Sequence, residues 1–193
     1  MADAAKRMEE AGKRMEAAQG SGDSAAAGKA MGDVLGAIGG AGNVAPIAPA
    51  ELKAMLPDSI GDMKRTSIEA QGNEAMGIAA SSAKASYANG DRHVELSIVD
   101  SGGLAGLATM AGWANMTMDK ETDGKVEKVY KGGGRTIHEE YRKDGSHGET
   151  AVILANGVIV SAEGSRVDPA TLKGMVAGVD LAKLEATKRV AKR

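Results

Sequence analysis

Two Asn-Gly dipeptides, each set between runs that suit β-structure, constrain the fold more than any other feature of this chain. Asn89-Gly90 separates residues 83–88 (Ala-Lys-Ala-Ser-Tyr-Ala) from residues 91–99, and Asn156-Gly157 separates residues 150–155 from 158–163. A type I′ turn needs positive φ at both central residues, which Asn and Gly tolerate, so each dipeptide predicts an antiparallel hairpin. With Asn89 and Gly90 as the loop, Ala85 faces Val94, Ala83 faces Leu96, Lys84 meets Glu95 and Ser86 meets His93. One register then yields an apolar face and an opposite-charge pair together, and a one-residue slip destroys both. Residues 151–155 are apolar on both faces, the pattern of a central, covered strand.

Around these hairpins the sequence predicts helix, strand, hairpin, helix, strand, two hairpin-linked strands and helix. Residues 2–18 read as a polar helix with Met8 and Met15 on one face, and residues 24–38 as a second, Ala- and Gly-rich helix. Residues 39–49 are mostly Gly, Ala and Pro and form a linker. Pro49 opens a short helix that Pro57 stops. A strand over 62–70 is expected to end in a Gln71-Gly72-Asn73 turn, and a helix is expected over 104–114. Strands follow over 125–131 and 135–143. Asp168-Pro169 caps a helix with Leu172, Met175, Val176 and Val179 on one stripe, and Asp180 caps a last turn carrying Leu181 and Leu184. The absence of repeated strand–helix–strand units favours α+β: an antiparallel sheet of about six strands with helices packed on it, behind a helical N-terminal arm. The expected organisation is an arm and linker over 1–45, one domain over 46–188, and a basic, fraying tail over 189–193.

Composition narrows function by exclusion. Net charge is −2, from 24 basic and 26 acidic residues, and aromatics make up 2% of the chain. That leaves neither the electrostatic footprint nor the stacking platform of a nucleic-acid binder. The chain holds no cysteine, which excludes disulfides, thiolate catalysis and Cys-type zinc sites. No run approaches the roughly 18 apolar residues of a membrane span. Membrane attachment would therefore be through an N-terminal anchor already removed; without a removed leader the chain would be cytoplasmic.

Candidate chemistry is sparse. Gly132, Gly133 and Gly134 before Arg135 invite comparison with a phosphate cradle, but a β-like run follows where a helix N-terminus is needed. His138 and Glu140 share one side of a strand, and His147 follows beside Asp144; their spacing matches no zinc, iron or calcium pattern, so no metal site is assigned. Ser146-His147 lacks a nucleophile elbow, and no catalytic residue is assigned. Asn115-Met116-Thr117 is a glycosylation acceptor that matters only in a eukaryotic secretory setting. The binding residues expected from polar, flexible connections are Gly132, Gly133, Gly134, Arg135, Asp144 and His147. No cofactor is expected.

From about residue 51 to residue 186 the chain resembles a family of small exported bacterial proteins, many labelled lipoproteins. The stretches that carry the likeness are Leu56-Pro57 through Met63-Lys64-Arg65-Thr66, Tyr87 through Val94-Glu95-Leu96-Ser97-Ile98, Gly148-Glu149-Thr150-Ala151-Val152 with Ala155-Asn156-Gly157, and Val167-Asp168 with Asp180-Leu181-Ala182-Lys183-Leu184-Glu185. More loosely the layout is similar to PsbP-like domains and to the sheet domains of periplasmic regulators of sigma-factor signalling. The resemblance implies a non-enzymatic cell-envelope protein that binds or scaffolds a protein partner. A carrier of a small apolar ligand, held beside the small side chains Ala83, Ala85 and Ala151, is the first alternative. A hydrolase with an unrecognised site is the second.

Overall fold

The computed structural model describes residues 44–75, 78–102 and 117–189. The helices expected over 2–18, 24–38 and 104–114, most of the linker and Asn115-Met116 lie outside the described residues. The described chain folds as one antiparallel sheet of nine strands, not the six-stranded sheet covered by helices that the sequence predicts. The strands are β1 (Ser59–Ile60), β2 (Met63–Ala75), β3 (Ile78–Asn89), β4 (Arg92–Asp100), β5 (Met118–Glu121), β6 (Lys125–Gly132), β7 (Arg135–Arg142), β8 (Gly148–Ile153) and β9 (Ile159–Ser165). Three short helices accompany them: α1 (Pro49–Ala54), α2 (Pro169–Ala177) and α3 (Leu181–Ala186).

The spatial order β1-β2-β3-β4-β9-β8-β7-β6-β5 is two meanders joined in the middle by the β4–β9 pair. The extra strands escape sequence reading because they sit at the edges. β1 has two residues, and β5 is Met-Asp-Lys-Glu, short and charged with no alternation. Edges of that kind are blunted against pairing with another chain.

Both hairpins form, with turns one step away from the Asn-Gly expectation. In the first, Asn89 pairs with Arg92, so Gly90 and Asp91 make the loop; Gly90 has φ +63, as the leading position of a type II′ turn requires. The register therefore sits two residues from the expected one: Ala85 faces Leu96, Ala83 faces Ile98 and Ser86 faces Glu95. An even shift keeps every side chain on its expected face. Lys84 lies opposite Ser97 and reaches Glu95 diagonally, Nζ to Oε1 at 2.7 Å. In the second hairpin, Leu154 donates to the Val158 carbonyl and Gly157 donates to that of Leu154. Asn156-Gly157 thus ends a three-residue loop, with Gly157 at φ +84.

The expected turn at Gln71-Gly72-Asn73 is absent; these residues pair with Ser82, Ser81 and Ala80 inside the β2–β3 ladder. Gly72 serves close approach instead, since a Cβ there would sit 3.1 Å from Pro49 Cγ at the start of α1.

One sheet face carries the core. Ala83, Ala85, Tyr87, Val94, Leu96, Ile98, Val152, Val160 and Ala162 pack against Leu52 and Leu56 near α1 and against Leu172, Met175 and Val176 of α2. Gly148 and Gly164 face each other across β8 and β9. A Cβ on Gly148 would come within 2.8 Å of Leu172, and one on Gly164 within 2.8 Å of Val167, so the bare backbone lets these side chains seat. Asp168 caps α2 by accepting from the Thr171 N–H, and Asp180 caps α3 through Lys183 N–H, as the sequence predicts. Ala151, Ile153 and Val129 on the opposite face are buried too, and β8 is buried on both faces along most of its length.

Candidate functional site

The sheet face away from α1 and α2 carries a feature invisible in the linear sequence. Strand register brings Glu95, Glu163, Glu149, Glu140 and Glu127 directly opposite one another across β4, β9, β8, β7 and β6. At about 4.8 Å between neighbouring strands, the five carboxylates run in a row of about 19 Å. Lys120 of β5 closes one end opposite Glu127, and Ser86 stands opposite Glu95 at the other. Directly opposed like charges oppose sheet formation, so nothing in folding asks for this row.

Counter-charge reaches its ends more than its middle. Lys84 pairs with Glu95, and that contact holds the lysine's pKa above its ordinary value. Lys125 pairs with Glu140 at 2.8 Å and with Glu127 at 3.7 Å, and is likewise raised, chiefly by Glu140. The middle carboxylates see histidines: His147 Nε2 lies 3.7 Å from Glu163 Oε1. Burial pushes the Glu149 carboxyl above the usual range, and repulsion from Glu163 and Glu140 adds to it against the pull of His138 and His147. Glu149 thus keeps its proton to higher pH than an ordinary glutamate does.

All three histidines of the chain flank this row. His138 is buried between Val129 and Ala151, its Nε2 3.6 Å from Glu127 Oε1. His93 and His147 line an open cavity of about 360 Å³ with Glu95, Glu163, Ser86 and Ser165. Hydroxyls complete the surface, with the Ser97 and Ser161 Oγ atoms 2.9 Å apart where the two meanders join.

The residues expected to bind fall at opposite ends of β7, about 23 Å apart for eight extended residues. Gly133 and Gly134, both at positive φ, make the tight turn between Gly132 and Arg135. Arg135 donates through Nε and Nη2 to both carboxylate oxygens of Glu185, at 3.0 and 2.8 Å, tying that turn to α3 rather than waiting for a phosphate. Asp144 caps its own turn, accepting from the Ser146 N–H at 2.9 Å and the Ser146 hydroxyl at 2.7 Å. It lines a second open cavity, of about 710 Å³, with Arg142, Lys143, Arg166 and Asp168. His147 alone among the six joins the glutamate row. His138 and Glu140 share a face as expected, but their third neighbour is Glu127 of β6, not His147. Sequence reasoning missed Glu95, Glu127, Glu149 and Glu163 because each is an ordinary exposed-face residue until strand order is known.

Two buried charges lie elsewhere. Asp100, fully buried, accepts from the N–H groups of Ile47 and Gly102 at 2.9 and 3.0 Å and pairs with Arg189 at 2.9 Å. Arg189, expected to fray, also donates to the Asn156 carbonyl at 2.6 Å. Glu139, also buried, accepts from the Tyr130 hydroxyl and pairs with Lys173 of α2 at 2.8 Å. Burial first, then that carboxylate, pushes the Tyr130 phenol up to about 12.

No family model matches the chain, and no curated protein matches it. In fold it is similar to the extracellular domain of PknH from Mycobacterium tuberculosis, with a TM-score of 0.44 and 13% identity, over 72% of this chain and 98% of that one. Among the described residues no helix is long and apolar enough to cross a membrane.

Proposed function

We propose that this chain is a non-enzymatic binding module of the bacterial cell envelope whose recognition surface is the glutamate row, and that its partner is a protein segment rich in Lys or Arg. The observation that carries the reading is the register of five glutamates on five adjacent strands. Rigid strands hold the carboxylates at fixed spacing, and Glu163 stays 59% exposed with His147 Nε2 3.7 Å away. A cationic segment laid across the strands would relieve repulsion that the fold itself leaves standing, which gives binding a source of free energy and of specificity. The envelope location rests on the resemblance of the Leu56-Pro57, Gly148–Val152 and Val167-Asp168 stretches to exported bacterial proteins.

The test is calorimetric titration of the full chain with oligolysine at low and moderate salt, beside a Glu149→Gln/Glu163→Gln double variant. Binding that weakens with salt and falls at least about tenfold in the variant supports the reading, since surface charge attraction is screened over about 10 Å at 0.1 M salt. Absence of binding, or equal binding by the variant, refutes it.

A hydrolase is the second reading, favoured by Glu149, a carboxyl inclined to stay protonated beside the carboxylates Glu140 and Glu163. Turnover of a panel of chromogenic glycosides, lost in Glu149→Gln, would displace the binding reading. The carrier reading has less support, because Ala83 and Ala85 lie inside the packed cluster with Leu52, Leu56 and Tyr87.

A further inference from the structure

We infer that Glu127, His138 and Glu140 form a binding site for a divalent transition metal of the Zn2+ class at the β6–β7 end of the carboxylate row. The inference shares with the proposed function the view that this face takes up positive charge, and it shares Glu127 and Glu140 of the row, but it adds His138 and concerns a different ligand. One ligand atom from each of the three residues lies within 4.8 Å of the other two. Glu127 and Glu140 are directly opposed across β6 and β7, and His138 is two residues from Glu140 on the same face. All three project from paired strands, so the donor set is held by backbone hydrogen bonds, as a metal site requires.

The burial gradient suits a metal. His138 is 4% exposed and forms the floor, while Glu127 and Glu140 are 23% and 31% exposed and form the rim, so an ion enters past the carboxylates to reach the imidazole. A cation already occupies that rim: Lys125 places its ammonium 2.8 Å from Glu140 and 3.7 Å from Glu127. Its side chain is 43% exposed, and an exposed ion pair of this kind contributes little, so a metal displaces it at small cost. One imidazole with two carboxylates is a borderline donor set, matched to Zn2+ or Mn2+; Ca2+ takes six to eight oxygens, which these residues do not supply.

The experiment is calorimetric titration of the full chain at neutral pH with Zn2+, and with Ca2+ for comparison. One Zn2+ site is expected, with Ca2+ bound far more weakly. Glu127→Gln/Glu140→Gln keeps the side-chain shapes and is expected to weaken Zn2+ at least about tenfold, because even an outer-shell partner of a metal ligand is worth that much. Lys125→Met removes the resident competitor and should tighten Zn2+. Since His138 is buried and its loss threatens folding, its role is read in the intact protein, from a zinc-induced change in its imidazole nitrogen resonances. No Zn2+ binding, binding undiminished in the double Gln variant, a shift confined to His93 or His147, or weaker binding by Lys125→Met each overturns the site. The oligolysine test substitutes Glu149 and Glu163 and leaves all three metal donors in place, so failure of one result leaves the other to be judged alone.

Discussion

Replacing Glu149 by glutamine should stabilise the protein at neutral pH. Glu149 stands mid-row, directly opposite Glu163 on one side and Glu140 on the other. Cross-strand pairs are worth roughly 0.2–1 kcal/mol each, so removing two like-charge pairs gains about 0.4–2 kcal/mol. For a domain of this size that is about 1–8 °C in Tm. The attraction of His138 and His147 works the other way, but the Glu149 carboxyl is raised on balance, so burial and repulsion outweigh it.

The sign with pH follows from linkage. A carboxyl raised in the folded state holds its proton to higher pH there than in the unfolded chain, whose ordinary value is 4.5. Its favourable contribution is complete below 4.5 and is lost as pH rises through the folded value. The gap between Glu149→Gln and the parent chain should therefore be widest at pH 7 and close toward pH 4. It should also shrink at 0.5 M salt, where screening shortens to a few ångströms. Thermal unfolding of both proteins from pH 4 to 8, at low and high salt, measures this. A variant less stable than the parent at pH 7, or a gap that ignores both pH and salt, would show that the row does not repel itself.

Three further substitutions probe what holds the sheet. Asp100→Asn should cost about 3–5 kcal/mol in urea unfolding, because it leaves the Arg189 guanidinium, 9% exposed, without its anion. Gly164→Ala should destabilise by roughly 1–3 kcal/mol, since its Cβ would meet the His93 carbonyl, Val94 and Val167 all at 2.8 Å; an unchanged midpoint would mean that β4 and Val167 do not close on Gly164 as described. Tyr130 should resist ionisation until about pH 12 in spectrophotometric titration, and Glu139→Gln should lower that value by removing the adjacent carboxylate.

What could be read from the sequence is what depends on neighbours along the chain. The hairpins, the capping aspartates Asp168 and Asp180 and the covered strand β8 all announce themselves within about ten residues. The turn positions do not, because Gly90 satisfies positive φ equally well in a Gly-Asp loop or an Asn-Gly loop. Gly72 misled for a related reason: a glycine that admits a neighbouring helix looks the same in sequence as one that turns a chain. The two edge strands lack the alternation that marks a half-buried strand, since most of their residues face water.

The glutamate row is hidden for a deeper reason. Residues 95, 163, 149, 140 and 127 come from five segments whose spatial order is not their chain order, and β4 adjoins β9 rather than β5. Register within each hairpin is a local matter, fixed by turn length, but the join between β4 and β9 places Glu95 opposite Glu163 across 68 residues of chain. A slip of two residues at that join alone would leave both cores apolar and both faces intact, yet would set Glu95 opposite serine. The alternation of apolar and polar residues alone does not choose between the two alignments, and charge repulsion favours the slipped one. Selection of the alignment that opposes like charges therefore has to come from the seam itself, where Ser97 and Ser161 share a hydrogen bond and Gly164 accepts Val94 and Val167 with no room for a Cβ. Packing at Gly164 fixes the register, and the register then builds the acidic surface.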